Sequence, residues 1–394
     1  MTQVNRKILI IPTWYPSRAN PVSGIFIQSQ AVALAREYNV AVLVPELVGW
    51  RHVLAGKLPR QPKFEQYAGL PIYRERAFAW IPRARSRSYT SYLRAARRGL
   101  ERVLSIWGRP DLIHAHVVLP AGWAATQLRK HYPIPLVLTE HSSPFAMHLQ
   151  TVFHRRLVQE TLAQVDRLIT VSPDLAQQIR EFQPIVKTID IGEIINTDFF
   201  TPSGIDELPS STSRTRFLMV ALLSKQKGLT CLLEAIRLLV QRGLTPFEVI
   251  VGGDGPERHS VESAARVLGL ADRLRFLGQL SPTEVRHWMQ RCDVFVLPSL
   301  HETFGVVLGE AMACGKPVIA TRCGGPEWIV TPDTGRLIDK ADPTALAGAM
   351  ADFIEGRAVY NPATIRQRIV ERFGEQAFLR QVSAVYEEIW AQRA

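Results

Sequence analysis

Two carboxylates frame a glycine-bearing loop in the stretch Pro298-Ser-Leu-His-Glu302-Thr-Phe-Gly305-Val-Val-Leu-Gly-Glu310. An ionised carboxylate accepts two hydroxyl donors at once, so Glu302 and Glu310 suit a ligand rich in hydroxyls. The apolar run Val294–Leu297 stops at Pro298 and reads as a short buried strand. Beyond it, Val306, Val307, Leu308, Ala311, Met312 and Ala313 recur at helical spacing until Gly315. Glu302 then lies in a strand-to-helix loop and Glu310 about a turn inside the helix. The amides near Phe304, Gly305 and Val306 have no intrahelical partners, and Gly305 lets a phosphate approach the backbone. An anion site beside two carboxylates fits a molecule that carries both diphosphate and sugar hydroxyls, as a nucleotide-sugar does.

Other elements repeat this strand-loop-helix grammar. Strand Arg216–Ala221 runs into Leu222-Leu-Ser-Lys225-Gln-Lys227-Gly228 and a helix from Leu229, which makes a second phosphate site with a mobile cation. Strand Glu248–Val251 leads into Gly252-Gly-Asp-Gly-Pro-Glu257, which lacks the third glycine of a dinucleotide fingerprint. Near the N-terminus, Lys7–Pro12 reads as a buried parallel strand. A loop to Gly24, a helix from about Ile25 to Tyr38 and strand Val40–Val44 follow. Asp111-Leu-Ile-His114-Ala-His116 and Thr139-Glu140-His141 each close an apolar strand with polar residues, where a doubly wound sheet gathers its ligand site. A lone histidine at a strand end is most often structural; two such sites in one sheet argue for a shared purpose.

With 394 residues the chain exceeds one ordinary core and should form two domains. It has no apolar run long enough to span a bilayer, and its first residues do not read as a secretory signal. Cys231, Cys292, Cys314 and Cys323 show no zinc spacing and read as reduced, mostly buried thiols. Charge is uneven: residues 1–200 hold 25 Lys and Arg against 14 Asp and Glu, so the whole net charge of +11 belongs to the first half. Arginines crowd Pro71–Pro110, where Tyr92, Ala96, Leu100, Val103, Leu104 and Trp107 mark one side of a helix over Tyr89–Trp107. Such a basic amphipathic stretch suits an anionic membrane surface. The alternative is a helix packed on the sheet with its arginines in solvent. The segment holds no nucleic-acid-binding module, so nucleic acid is not expected as a partner.

The Glu302…Glu310 spacing around Phe304-Gly305 resembles the Glu-x7-Glu signature of retaining glycosyltransferases, more closely that of family 4 (group 1) among the GT-B enzymes. The resemblance runs from Gly24 to Gly335 and is densest from Asp293 to Glu327. It implies an α/β GT-B fold, with two Rossmann-like doubly wound parallel-sheet domains facing a central cleft. On that pattern residues 1–200 bind the acceptor, 201–214 form a Ser/Pro/Gly-rich linker, 215–374 bind the donor, and 375–394 form a helix crossing back to the first domain. The implied activity is metal-independent hexosyl transfer, with retention, from a nucleoside-diphosphate sugar to a hydroxyl.

Residue by residue, the resemblance makes Lys227 the cation on the leaving diphosphate and Glu302 the contact to the donor sugar. His116 is then a helper beside the transferred sugar. Donor binding falls to Gly24, His141, Gly228, Gly253, Gly255, Leu277, Gly278, Phe304, Gly305, Val306 and, on the ribose, Glu310. The family pattern Val-Gly-Arg-Leu-x-x-x-Lys-Gly is only partly kept, because Ala221 replaces the Gly and Leu222 the Arg. One diphosphate cation is therefore missing, and Lys225 is the candidate to replace it. No Asp-x-Asp element occurs, so no metal is expected, nor any cofactor besides the UDP- or GDP-linked co-substrate. The implied partners are the nucleotide-sugar, a glycan or polyprenyl/lipid-linked acceptor and an anionic membrane. The implied place is the cytoplasm, peripheral on the inner face of the cell membrane, in polysaccharide or lipopolysaccharide synthesis. Two other readings stay open: a nucleotide-sugar epimerase of the same fold, or a non-catalytic nucleotide-sugar-binding protein.

Overall fold

The computed structural model describes residues 6–18, 20–49, 63–79, 85–142, 144–203 and 214–393. Most of the expected linker, 204–213, lies outside the described residues, as does 80–84 of the arginine-rich stretch, which includes Arg83. The chain divides into two compact units. One comprises residues 1–171, 175–191 and 379–394; the other comprises 172–174 and 192–378.

The first unit is built on eight strands: β1 (Lys7–Pro12), β2 (Asn39–Gly49), β3 (Phe64–Tyr67), β4 (Leu70–Ala79), β5 (Leu112–His116), β6 (Leu136–Glu140), β7 (Arg167–Thr170) and β8 (Thr188–Asp190). Their order is β3-β4-β2-β1-β5-β6-β7-β8, and every pairing is parallel except β3 with β4. Ile8–Ile11 have no exposed surface, as expected for a central parallel strand covered on both faces. Each such side chain contributes roughly 1.5–3 kcal/mol by burial. Strand order reverses between β1 and β5, so the ligand-prone crevice of this sheet lies at Pro12 and His116, which are register partners.

The basic stretch takes the packed alternative. Helix Arg85–Ile106 buries Tyr92, Ala95, Ala96, Leu100 and Val103 and packs on β2 and β4, so its apolar side is not available to a bilayer. The β3–β4 hairpin was not expected. It buries Arg74, whose Nη1 lies 2.6 Å from Glu46 and whose Nε lies 2.7 Å from Glu65, while Nη2 donates to the Pro16 carbonyl. Arg98 and Arg102 lie 3.8 Å from Glu75. Several of the arginines that make this segment basic thus serve the fold itself.

The second unit carries β9 (Thr215–Val220), β10 (Phe247–Gly252), β11 (Leu274–Gly278), β12 (Val294–Leu297), β13 (Val318–Arg322) and β14 (Gly335–Asp339). All are parallel, in the order β11-β10-β9-β12-β13-β14. Phe217, Met219, Val249, Val251, Val294, Val296 and Ile319 form the sheet side of a core closed by Leu232, Ile236 and Leu239 of helix Leu229–Gln241. Here the order reverses between β9 and β12. The two loops leaving those strands are the Lys225–Gly228 loop and the Pro298–Gly305 loop.

Candidate active site

The second unit's reversal point brings the two sequence motifs together. The Lys227 ammonium lies 2.6 Å from Glu302 Oε1, and Ser299 Oγ donates to the same oxygen at 2.7 Å. The Leu300 amide donates to the Gln226 carbonyl at 2.7 Å, tying the loops together by backbone as well. Gly228 makes this approach possible: it sits at φ 67°, and a Cβ there would overlap the Pro298 carbonyl oxygen. Glu302 is pinned from the other side, since its carbonyl accepts from the Gly325 amide at 2.9 Å. Lys227 and Glu302 are both mostly covered, at 24% and 11% side-chain exposure. Sequence reasoning gave Ser299 no role; its signal was a hydroxyl three residues before a motif carboxylate.

Gly305 caps helix Val306–Ala313, and the first turn closes when the Leu308 amide bonds to the Gly305 carbonyl at 2.9 Å. The amides before it point out of the helix, beside the Lys227–Glu302 loop. Phe304 does not face out. It is buried in an edge-to-face cluster with Trp328 and Phe373 and holds the helix start in place. Glu310 lies on the second turn of this helix, partly buried. Among the described residues, none donates to its carboxylate or pairs with it. Burial alone pushes its carboxyl up to about 8.

The remaining donor candidates of this unit occupy the neighbouring strand ends. The Gly253 amide donates to the Gly278 carbonyl at 2.7 Å, and the Leu223 amide donates to the Asp254 carbonyl at 2.9 Å. Gly253 and Gly255 thus stand against the backbone of Ala221 and Leu223 in the β9 loop, while Leu277 and Gly278 end β11, on the far side of β10. Leu222, where the family pattern has arginine, is 68% exposed. Lys225 is exposed too, but it does not join the Lys227–Glu302 pair. It lines a cavity of about 470 Å³ with Ser224, Thr230, Glu234 and Pro343.

The first unit assembles its own strand-end group. Gly24, at φ 67°, caps helix Ile25–Leu34, and a Cβ there would overlap the Trp14 carbonyl oxygen, so the fold itself accounts for this glycine. Phe26, on the first turn, lies 4.8 Å from the His141 ring. His116 Nδ1 is 2.9 Å from His141 Nε2. His116 has no exposed surface, whereas His141 keeps 7%. His116 ends β5 and His141 follows the end of β6, so the two expected imidazoles meet at neighbouring strand ends, His141 nearer the surface. Glu140, which the sequence reading left without a role, shapes the turn after β6. Its carboxylate accepts from the amides of Val118 (2.6 Å), His141 (3.0 Å) and Ser142 (2.7 Å), with His148 Nε2 at 3.8 Å. Burial raises the Glu140 carboxyl, but His148 and those amides more than offset it, leaving it below the ordinary range.

Residues 204–373 match the family described as glycosyl transferases group 1, and residues 26–191 match glycosyltransferase family 4. The chain belongs to the family 4, group 1 glycosyltransferases. Among curated relatives it is 26% identical to the putative teichuronic acid biosynthesis glycosyltransferase TuaC of Bacillus subtilis, over 90% of this chain and 91% of that one. It is 31% identical to the lipopolysaccharide core biosynthesis glycosyltransferase LpsD of Rhizobium meliloti, over 55% and 63%. Among solved structures, sucrose-phosphate synthase from Thermosynechococcus elongatus matches with a TM-score of 0.79 at 23% identity, covering 98% of this chain and all of that one. HepE of Anabaena, solved with UDP-glucose, matches at 0.71 and 19%, covering 97% and 99%. These neighbours identify the fold of the two parallel-sheet α/β domains as GT-B.

Proposed function

We propose that this glycosyltransferase moves a sugar from a nucleoside-diphosphate sugar to a hydroxyl of a glycan or lipid-linked acceptor, with retention at the anomeric carbon. The observation that carries the proposal is the group at the second unit's reversal point. A cation and outward amides stand within one loop system of two carboxylates, one of which, Glu310, has no partner among the described residues. Lys227 and the Gly305–Val306 helix start would take the charge growing on the leaving diphosphate, the largest single term such a site can supply. Glu310 would accept the ribose hydroxyls. Glu302, already held by Lys227 and Ser299, would exchange part of that hold for the donor sugar. Lys227 and the amides would neutralise the diphosphate without a divalent ion. UDP- and GDP-linked sugars are the first donors to try.

The relatives in teichuronic acid and lipopolysaccharide core synthesis support a cell-surface glycan acceptor. Contact with an anionic membrane would then be electrostatic, through the remaining basic surface of the first unit, since its amphipathic helix is spent on the sheet. The test is to incubate the protein with UDP-, GDP- and ADP-sugars in EDTA, with glycan and lipid-linked acceptors. Nucleotide release and the anomer of the product are followed by NMR. Transfer with the donor's anomeric configuration kept supports the reading. Inverted product would overturn retention, and no nucleotide release with any donor would overturn the activity. Conversion of the donor sugar without acceptor would point to the epimerase instead.

A further inference from the structure

Strands β5 and β6 are paired neighbours, so the loops after them leave the first unit's sheet side by side. One carboxylate holds both loops. Glu140 Oε2 accepts from the Val118 amide at 2.6 Å, two residues past the end of β5. Its Oε1 accepts from the amides of His141 at 3.0 Å and Ser142 at 2.7 Å, just past the end of β6. Glu140 has no exposed surface, and His148 Nε2 stands 3.8 Å from Oε1. Its charge is turned inward, onto backbone N–H groups.

The loop after β5 needs such a hold. Val117 sits at φ 76° and ψ 129°, a conformation that a β-branched residue adopts only under strain. Strained residues persist where the surroundings over-determine them. The Val117 amide donates to the Thr139 carbonyl at 2.8 Å, and its own carbonyl accepts from the Gly122 amide at 3.0 Å. The next amide along is that of Val118, which Glu140 takes. A hydrogen bond to an ionised acceptor is roughly twice as strong as a neutral one.

A carboxylate accepts on both oxygens, which is what two loops require. A glutamine in its place has one carbonyl oxygen and turns an NH2 group toward the other loop. An aspartate, one methylene shorter, still reaches the amide two residues on in its own turn, that of Ser142, but not the neighbouring strand's loop.

We infer that Glu140 is a positioning residue: bonded to Val118 through one oxygen and to His141 and Ser142 through the other, it locks the strained β5 loop and the β6 loop into one rigid unit and so fixes the two strand ends that carry His116 and His141. With no surface of its own, it acts only through those loops. That these strand ends serve sugar transfer rests on the proposed function; the lock does not.

The test is hydrogen exchange of the full-length, ligand-free protein, read at single amides in wild type, Glu140→Asp and Glu140→Gln. In wild type the Val118 amide should exchange at least about 100-fold more slowly than an unbonded loop amide. Glu140→Asp should speed exchange at Val118 about 10-fold or more and leave Ser142 protected. Glu140→Gln should free at least one of the two loops. In transfer assays with UDP-, GDP- and ADP-sugars, both variants should lower kcat per folded molecule about 10- to 100-fold. Their affinity for UDP, GDP and ADP should stay that of wild type, because Lys227 and the Gly305 helix start belong to the second unit. A residue that only stabilised the fold would lower the folded fraction without that split. A Val118 amide that exchanges freely in wild type would overturn the inference without any variant. Unchanged exchange at Val118 in folded Glu140→Asp would overturn the lock, and loosened loops with wild-type kcat would overturn the positioning role. If wild type transfers no sugar, the function reading fails, while hydrogen exchange still decides the lock.

Discussion

The two sheets solve the same topological problem with opposite chemistry. At the second unit's reversal point, charges meet: Lys227 and Glu302 lie 2.6 Å apart beside a helix start, with Glu310 unpartnered among the described residues. At the first unit's reversal point the groups are neutral, with His114 and His116 fully buried and hydrogen-bonded to Tyr386, Thr139 and His141. A site that must accept a charge appearing during reaction gains from fixed cations and amides. A site that must hold a hydroxyl in place gains from rigid neutral surfaces that cost no charge burial. Similar strand-loop-helix architecture therefore does not imply similar duty, and each half can be broken separately.

The largest effect should come from Lys227→Ala, which removes the cation and leaves the Glu302 carboxylate with the Ser299 hydroxyl as its donor among the described residues. Transfer should fall about 10²–10³-fold in kcat, with the fold kept by circular dichroism. Next is Gly228→Ala, which forces a side chain into the Pro298 carbonyl. Urea unfolding should show a loss of more than about 2 kcal/mol, because strained backbone and overlap act together. The same substitution at the exposed Gly243, for which a Cβ meets open space, should cost less, leaving only the strain of its φ of 77°.

Glu310 sharpens the comparison through pH. Its carboxyl lies near 8 in the folded chain against 4.5 ordinarily, so the folded state binds the proton more tightly. That contribution to stability is complete below about pH 4.5 and is lost as pH rises through 8. Glu310→Gln should flatten the stability profile between those values and be the more stable protein at pH 8.5. Ribose hydroxyls favour the ionised carboxylate. Nucleotide binding at pH 7 should therefore release up to one proton from wild type and none from Glu310→Gln, as measured by calorimetry in buffers of different ionisation enthalpy.

Two smaller effects follow. Leu222→Arg returns the second cation at a solvent-exposed position. It should leave stability within about 0.5 kcal/mol and tighten donor binding several-fold. Tyr386→Phe removes one bond to His114 and should cost about 1 kcal/mol in urea unfolding.

Much of this contrast was legible from the sequence, for local reasons. Val294–Leu297 ending at Pro298, the Gly305 helix start and the Lys227-Gly228 turn are short-range signals, and the structure joins them as neighbours. What was not legible depends on partners far along the chain. Strand β4 carries Arg74, Glu75 and Arg76, charges that hide its period. Arg74 becomes a core residue only because Glu46 and Glu65 arrive from β2 and β3. The burial of His114 was equally invisible, since the Tyr386 hydroxyl that meets it comes from 272 positions away. The amphipathic Arg85–Ile106 pattern was real, but its partner is the sheet. Periodicity alone does not say what a helix face packs against.

The central claim is that the second unit's charged site binds a nucleoside diphosphate. Its most direct test is thermal unfolding of wild type, Lys227→Ala and Glu310→Ala with millimolar UDP, GDP and ADP. A ligand at 100 times its Kd adds about 2.7 kcal/mol of stability, enough to move Tm measurably. The account predicts a rise for one base in wild type, lost or much reduced in both variants. No rise with any of the three, or a rise that both variants retain in full, would contradict it.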